Sequence, residues 1–82
     1  MKPVARNIIL EEPSSFQFFT NDSGSHFLDV LCGGFAMFSV CIRLNVEELS
    51  YYRELGDYYI QKLARDISYS PNSFASRNVP QT

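Results

Sequence analysis

Two adjacent glycines, Gly33 and Gly34, stand between two long apolar runs, residues 27–32 and 35–44. A two-residue Gly-Gly loop supplies the positive φ values that tight hairpin turns demand. The pattern therefore predicts a β-hairpin and sets its register: Cys32 faces Phe35, Val30 faces Met37, Leu28 faces Ser39 and His26 faces Cys41. In that register one sheet face carries Phe27, Asp29, Leu31, Ala36, Phe38, Val40, Ile42 and Leu44. The other carries His26, Leu28, Val30, Cys32, Phe35, Met37, Ser39, Cys41 and Arg43. Both faces are largely apolar.

The rest of the chain offers one substantial helix. Asn45 is a good N-cap and Glu48 stands three residues later, the spacing of a capping box. Glu47 and Glu48 suit the positive end of the helix dipole, and Lys62 and Arg65 fall toward the other end. Pro71 stops the helix near Tyr69. At 100° per residue, Leu49, Tyr52, Gly56, Tyr59, Ile60, Leu63 and Ile67 share one arc, the expected core stripe. Gly56 lies near its centre, where a missing side chain suits close approach to the sheet. Arg53 also falls in the arc. Its stem is expected to reach the domain edge; otherwise it needs a buried partner, for which Asp29 is the candidate. Tyr51, Leu55 and Tyr58 fall on a nearly opposite arc, exposed and available to a partner.

Ahead of the hairpin, residues 4–10 and 16–20 read as strands, separated by a Pro-Ser turn at residues 11–15. Asn21, Asp22, Ser23 and Gly24 form a loop before the hairpin. As a four-residue loop, it sets Phe18 opposite Phe27 and adds Phe16 and Phe18 to the first sheet face. The expected fold is thus α+β: an antiparallel meander sheet of three to four strands followed by one long C-terminal helix packed on one face. The chain divides as an N-terminal strand and turn (1–15), a sheet (16–44), a helix (45–69) and a tail (70–82), all one domain.

Eighty-two residues bury a modest core, and self-association is a common remedy for a thin stability margin. With one sheet face covered by the helix, the second face is left for a partner, and a homodimer is its simplest use. In that arrangement Leu28, Val30, Phe35 and Met37 carry the interface. The acidic balance, net charge -2, and the scattered basic residues give no footprint for nucleic acid, although the sheet is rich in phenylalanine. The apolar run is broken by Asp29, and its uncharged part is shorter than the ~20 residues a membrane span requires. No secretory signal is recognised, and the two cysteines are too few for a disulfide framework. In the Gly-Gly register Cys41 lies about 20 Å along the ribbon from Cys32, beyond disulfide reach. Reduced thiols and a cytoplasmic location are expected.

Candidate chemistry is sparse. His26 opposite Cys41 is the one pairing that suggests a nucleophile or a ligand pocket. A structural zinc site needs four ligands at characteristic spacing, and only these two converge. No phosphate-binding glycine pattern or nucleophile elbow is present. No cofactor and no metal are expected. In size, acidity and layout the chain resembles small bacterial immunity and inhibitor proteins, compact α+β domains that neutralise a toxin by surface contact. That resemblance implies a protein partner and carries over no residue. The expected function is a small non-catalytic protein-binding module, self-associating through an apolar sheet face, of the immunity or inhibitor type. The alternative is a small enzyme or ligand-binding domain with a pocket near His26 and Cys41.

Overall fold

A computed structural model describes residues 6–32 and 38–79. Four strands form an antiparallel meander in the order β1-β2-β3-β4. They are β1 Asn7–Glu12, β2 Phe16–Thr20, β3 His26–Cys32 and β4 Phe38–Arg43. The helical layer follows as α1 Val46–Leu55, α2 Asp57–Tyr69 and a short α3 Pro71–Phe74, then a 3-10 turn at Ala75–Arg77. The α+β meander is as expected; the single long helix is not.

The capping box forms as the sequence predicts. The Asn45 side chain accepts from the Glu48 N–H at 2.8 Å, and the Glu48 carboxylate accepts from the Asn45 N–H at 2.9 Å. The helix then breaks at Gly56, which takes φ 66° and ψ -146°. This is a backbone region essentially reserved for glycine. A Cβ built on Gly56 meets nothing within 4 Å, so close approach to the sheet does not explain the residue. Its role is to turn the chain between two helices. Replacing Gly56 with Ala is accordingly expected to lower unfolding free energy by about 1–3 kcal/mol, from backbone strain alone. Urea denaturation would measure it. A gain of about 1 kcal/mol, the helix-propensity difference, would instead mean that α1 and α2 run on as one helix.

Both hairpin registers differ from expectation. The β2–β3 loop is shorter by one residue than the sequence suggests. The Asn21 N–H donates to the Ser25 carbonyl at 3.1 Å and the Asn21 carbonyl accepts from Gly24 at 3.0 Å, with Gly24 at φ 82°. This is a turn closed by a left-handed glycine, a common three-residue hairpin loop. The Asn21 side chain also accepts from the Ser23 and Ser25 N–H groups. Phe18 therefore faces Leu28, not Phe27. Across β3 and β4, Leu28 faces Ile42, Val30 faces Val40 and Cys32 faces Phe38. The Gly-Gly turn lies outside the described residues, but the strands flanking it are not in the register of a two-residue loop.

A one-residue change of pairing parity exchanges the two faces of a strand. Leu28, Val30 and Cys32 consequently point to the helices and join Phe16, Phe18, Val40, Ile42 and Leu44 in the core, with Ile60, Leu63, Ala64 and Ile67 of α2 above them. Leu10, Leu49, Tyr52, Tyr59 and Phe74 pack around the rim. Asp29, expected beneath the helix, lies on the open face instead. Under the helices its carboxylate would require a buried partner, and an unpaired charge there is costly. Arg53 does not supply one: it is exposed on α1.

Candidate functional site

The helical surface singled out by the sequence keeps its large side chains uncovered, as do Ile8, Ile9 and Phe38 of the sheet, Val46 at the start of α1 and Tyr69 at the end of α2. Tyr51 and Leu55 lie one turn apart on α1 and are 50% and 49% exposed; Tyr58, in the first turn of α2, is 65% exposed. Residues one turn apart share a helix face, so Glu47 and Glu54 belong to the same side as Tyr51. Glu47, Glu54 and Asp57 are all exposed. The Tyr51 ring sits 5.5 Å from the half-buried Tyr59 ring, which gives it a backing. Burial, with the nearby Glu48 charge, pushes the Tyr59 phenol up, so it stays protonated at neutral pH. Lys62, the next cation along α2, is tied to Asp66 at 3.4 Å. The neighbourhood is two aromatics and a leucine with three exposed carboxylates, Glu47, Glu54 and Asp57, and one exposed cation, Arg53.

The open sheet face is differently built from the apolar interface expected of it. Leu28 and Val30 are 0% and 1% exposed in the core, so neither is available to a partner in the folded chain. Phe35 and Met37 lie outside the described residues. What occupies the face is a polar cluster over two stacked rings. Phe19 and Phe27 stack at 5.5 Å, and the Arg6 guanidinium carbon lies 4.2 Å above the Phe19 ring. Arg6 donates to Gln17 at 2.8 Å and to Asp29 at 3.1 Å; Gln17 donates onward to Glu11. A cation over an aromatic face, held by a carboxylate, covers apolar surface without a second molecule. Phe19 is buried as a result. The second Asp29 oxygen is buried with no hydrogen-bond partner among the described residues and borders a shallow cleft of about 210 Å³ with Gln17, Leu31 and Ser39.

His26 and Cys41 are not brought together. Cys41 faces Asp29, while His26 faces Thr20 and its carbonyl accepts from the Leu44 N–H at 2.9 Å. The imidazole packs on Phe18, ring centroids 5.7 Å apart. Cys32 and Cys41 are both buried and outside any disulfide. Burial pushes the Cys32 thiol up, against an opposing backbone hydrogen bond, which leaves it a poor nucleophile at neutral pH. Among the described residues no group of three or more His, Cys, Asp or Glu is arranged to hold a metal ion, and no helix is long and apolar enough to cross a membrane.

One partly buried ion pair has no motif in the sequence. Glu48 is buried, and Arg77, far along the chain, grips both of its oxygens, at 2.9 and 2.6 Å, and donates to the Arg43 carbonyl at 2.9 Å. The capping-box spacing marks Glu48, but nothing marks Arg77 as its partner. Burial alone would push the Glu48 carboxyl up. The Arg77 bonds, the Asn45 N–H and the Arg77 charge outweigh it and hold the carboxyl below its ordinary value.

Set against protein-family models, curated proteins and solved structures, the chain matches none of them.

Proposed function

We propose that this chain is a small non-catalytic protein-binding module that engages a partner protein through Tyr51, Leu55 and Tyr58 at the junction of α1 and α2. The observation that carries this reading is the exposure of these three large side chains on adjoining helices. Tyrosines anchor interfaces because a rigid ring buries much area at low entropic cost and keeps a hydroxyl for a polar contact. The neighbouring carboxylates Glu47, Glu54 and Asp57 set the chemistry of the partner: an apolar centre bordered by lysine or arginine. Charge complementarity of this kind raises association rates and makes them fall with salt. The likeness in size, acidity and layout to immunity and inhibitor proteins supports a stoichiometric partner of this type, as an analogy of layout.

The test uses the folded chain as bait in extract of its own cells, beside a Tyr51→Ala/Tyr58→Ala double variant. Surface truncations of this kind change stability by only about 0.5 kcal/mol each, so circular dichroism should show both baits folded. A specific partner should bind the parent and lose at least tenfold in affinity to the variant, about 1.4 kcal/mol or more. Its capture should also weaken as salt is raised. Equal retention by both baits at every salt concentration would remove the helical surface from consideration.

A further inference from the structure

The two edges of the sheet are finished differently. β1 ends the sheet with a bulge between Ile8 and Leu10, which interrupts its pairing ladder, a common way of blunting an exposed edge. β4 ends against the chain's own tail. The Cys41 N–H donates to the Asn78 side-chain oxygen at 2.9 Å, and the Cys41 carbonyl accepts from the Val79 N–H at 2.7 Å. Asn78 pairs with Ile42 as an isolated antiparallel bridge. The tail thus imitates a fifth strand at one point only, with an amide side chain standing in for a backbone carbonyl. Arg77 pins it through Glu48 and the Arg43 carbonyl, and Phe74 packs on the core rim.

This strap joins the body through a single residue. α2 ends at Tyr69, α3 begins at Pro71, and Ser70 between them takes φ -135° and ψ 61°. Among the described residues, the strap's hydrogen bonds beyond itself reach β4 and Glu48, Phe74 packs on the core rim and α3 also lies against α2, and a second copy presents these same groups. Exchange of an identical element through a short hinge is a low-cost route to a dimer, because each contact broken within one copy is remade between two.

We infer that the β4 edge, with Glu48, is a docking site for the Pro71–Val79 segment of a second copy, and that the chain dimerises by reciprocal exchange of this strap. The occupant is argued from the strap itself, whose arginine, asparagine and backbone N–H already match the receptor group by group. Monomers are favoured at low concentration, since exchange adds few new contacts against the entropy of association.

A charge-reversal pair tests this. A Glu48→Arg chain carries two arginines at the latch, and an Arg77→Glu chain carries two glutamates, so each repels its own strap. Reciprocal exchange between the two restores an arginine–carboxylate pair at both latches. Each variant alone is expected to be monomeric by light scattering, and an equimolar mixture is expected to double in mass. A mixture that stays monomeric would overturn the proposal, and so would an equal dimer in either variant alone. If either variant is unfolded by circular dichroism, the parent chain decides: held at millimolar concentration and then diluted, it should keep a dimer fraction that decays slowly. A chain monomeric throughout, or one whose dimer returns to monomer at once on dilution, would overturn it.

Discussion

Leu28→Asp is expected to leave the chain unfolded, while Leu31→Asp is expected to cost about 1 kcal/mol. Leu28 is fully buried between β2, β4 and α2, whereas Leu31 points to the open face and borders the cleft beside Asp29. A carboxylate at position 28 would have no partner in the core, a change worth more than about 4 kcal/mol. A domain of this length holds roughly 4–12 kcal/mol in total. Far-UV circular dichroism and urea titration of the two variants would decide the strand's orientation. The opposite ranking, with Leu28→Asp folded and Leu31→Asp unfolded, would restore the register of a two-residue Gly-Gly turn.

That contrast locates what the amino-acid pattern could and could not convey. Strands β2 and β3 follow the apolar runs, each with one polar residue, Thr20 or His26, at the end beside their loop, and Asn45 and Glu48 cap α1 as their spacing requires. The arc of Ile60, Leu63 and Ile67 is the buried face of α2. Orientation of β3 was not legible in the same way, because Leu28, Val30 and Cys32 alternate with Phe27 and Leu31, and either set would fill a core. Asp29 is the residue that breaks the tie: a lone carboxylate belongs on the face where Arg6 and solvent reach it. That one charge, not the glycine pair, fixes which face of β3 meets the helices. Gly56 was equally ambiguous, since the apolar arc runs through it unbroken and only its backbone angles reveal the turn. The exposure of Tyr51 and Leu55 was legible from helical spacing within α1; that of Tyr58 agrees with the expectation, but it lies beyond the break at Gly56, where spacing along one helix no longer applies. Arg77 was not, because its contact with Glu48 spans 29 residues of chain and follows no local rule.

Arg77→Ala is expected to lower stability by about 2–3 kcal/mol, the loss of two charge-assisted hydrogen bonds and the strap contact to the Arg43 carbonyl. The figure stands below the full cost of breaking a buried pair because the Arg77 side chain is about a third exposed, at 32%, against 11% for Glu48. Replacing both partners, as Glu48→Gln with Arg77→Met, is expected to cost less than Arg77→Ala, since no charge is then left without its partner. The pH dependence has a definite sign. Glu48 is held below its ordinary value in the folded chain, so its contribution is complete above the unfolded carboxyl value, about 4.3. It is lost as pH falls through the lower, folded value. The parent chain should therefore lose more stability than Arg77→Ala between about pH 5 and strong acid. Denaturant midpoints across that range would show the two curves converging. Parallel curves would mean that the pair contributes nothing specific to the fold.

The placement of Arg6 and Val79 bears on how the molecule should be handled. Arg6 roofs the Phe19 ring of the open face and the Val79 N–H donates to Cys41 of the last strand, so both residues hold the sheet from outside its strands. A dye, resin or fusion partner attached beside either would perturb what it was meant to report. The Asn21–Ser25 loop is the safer point of attachment: its tip is exposed and its backbone is closed by its own hydrogen bonds.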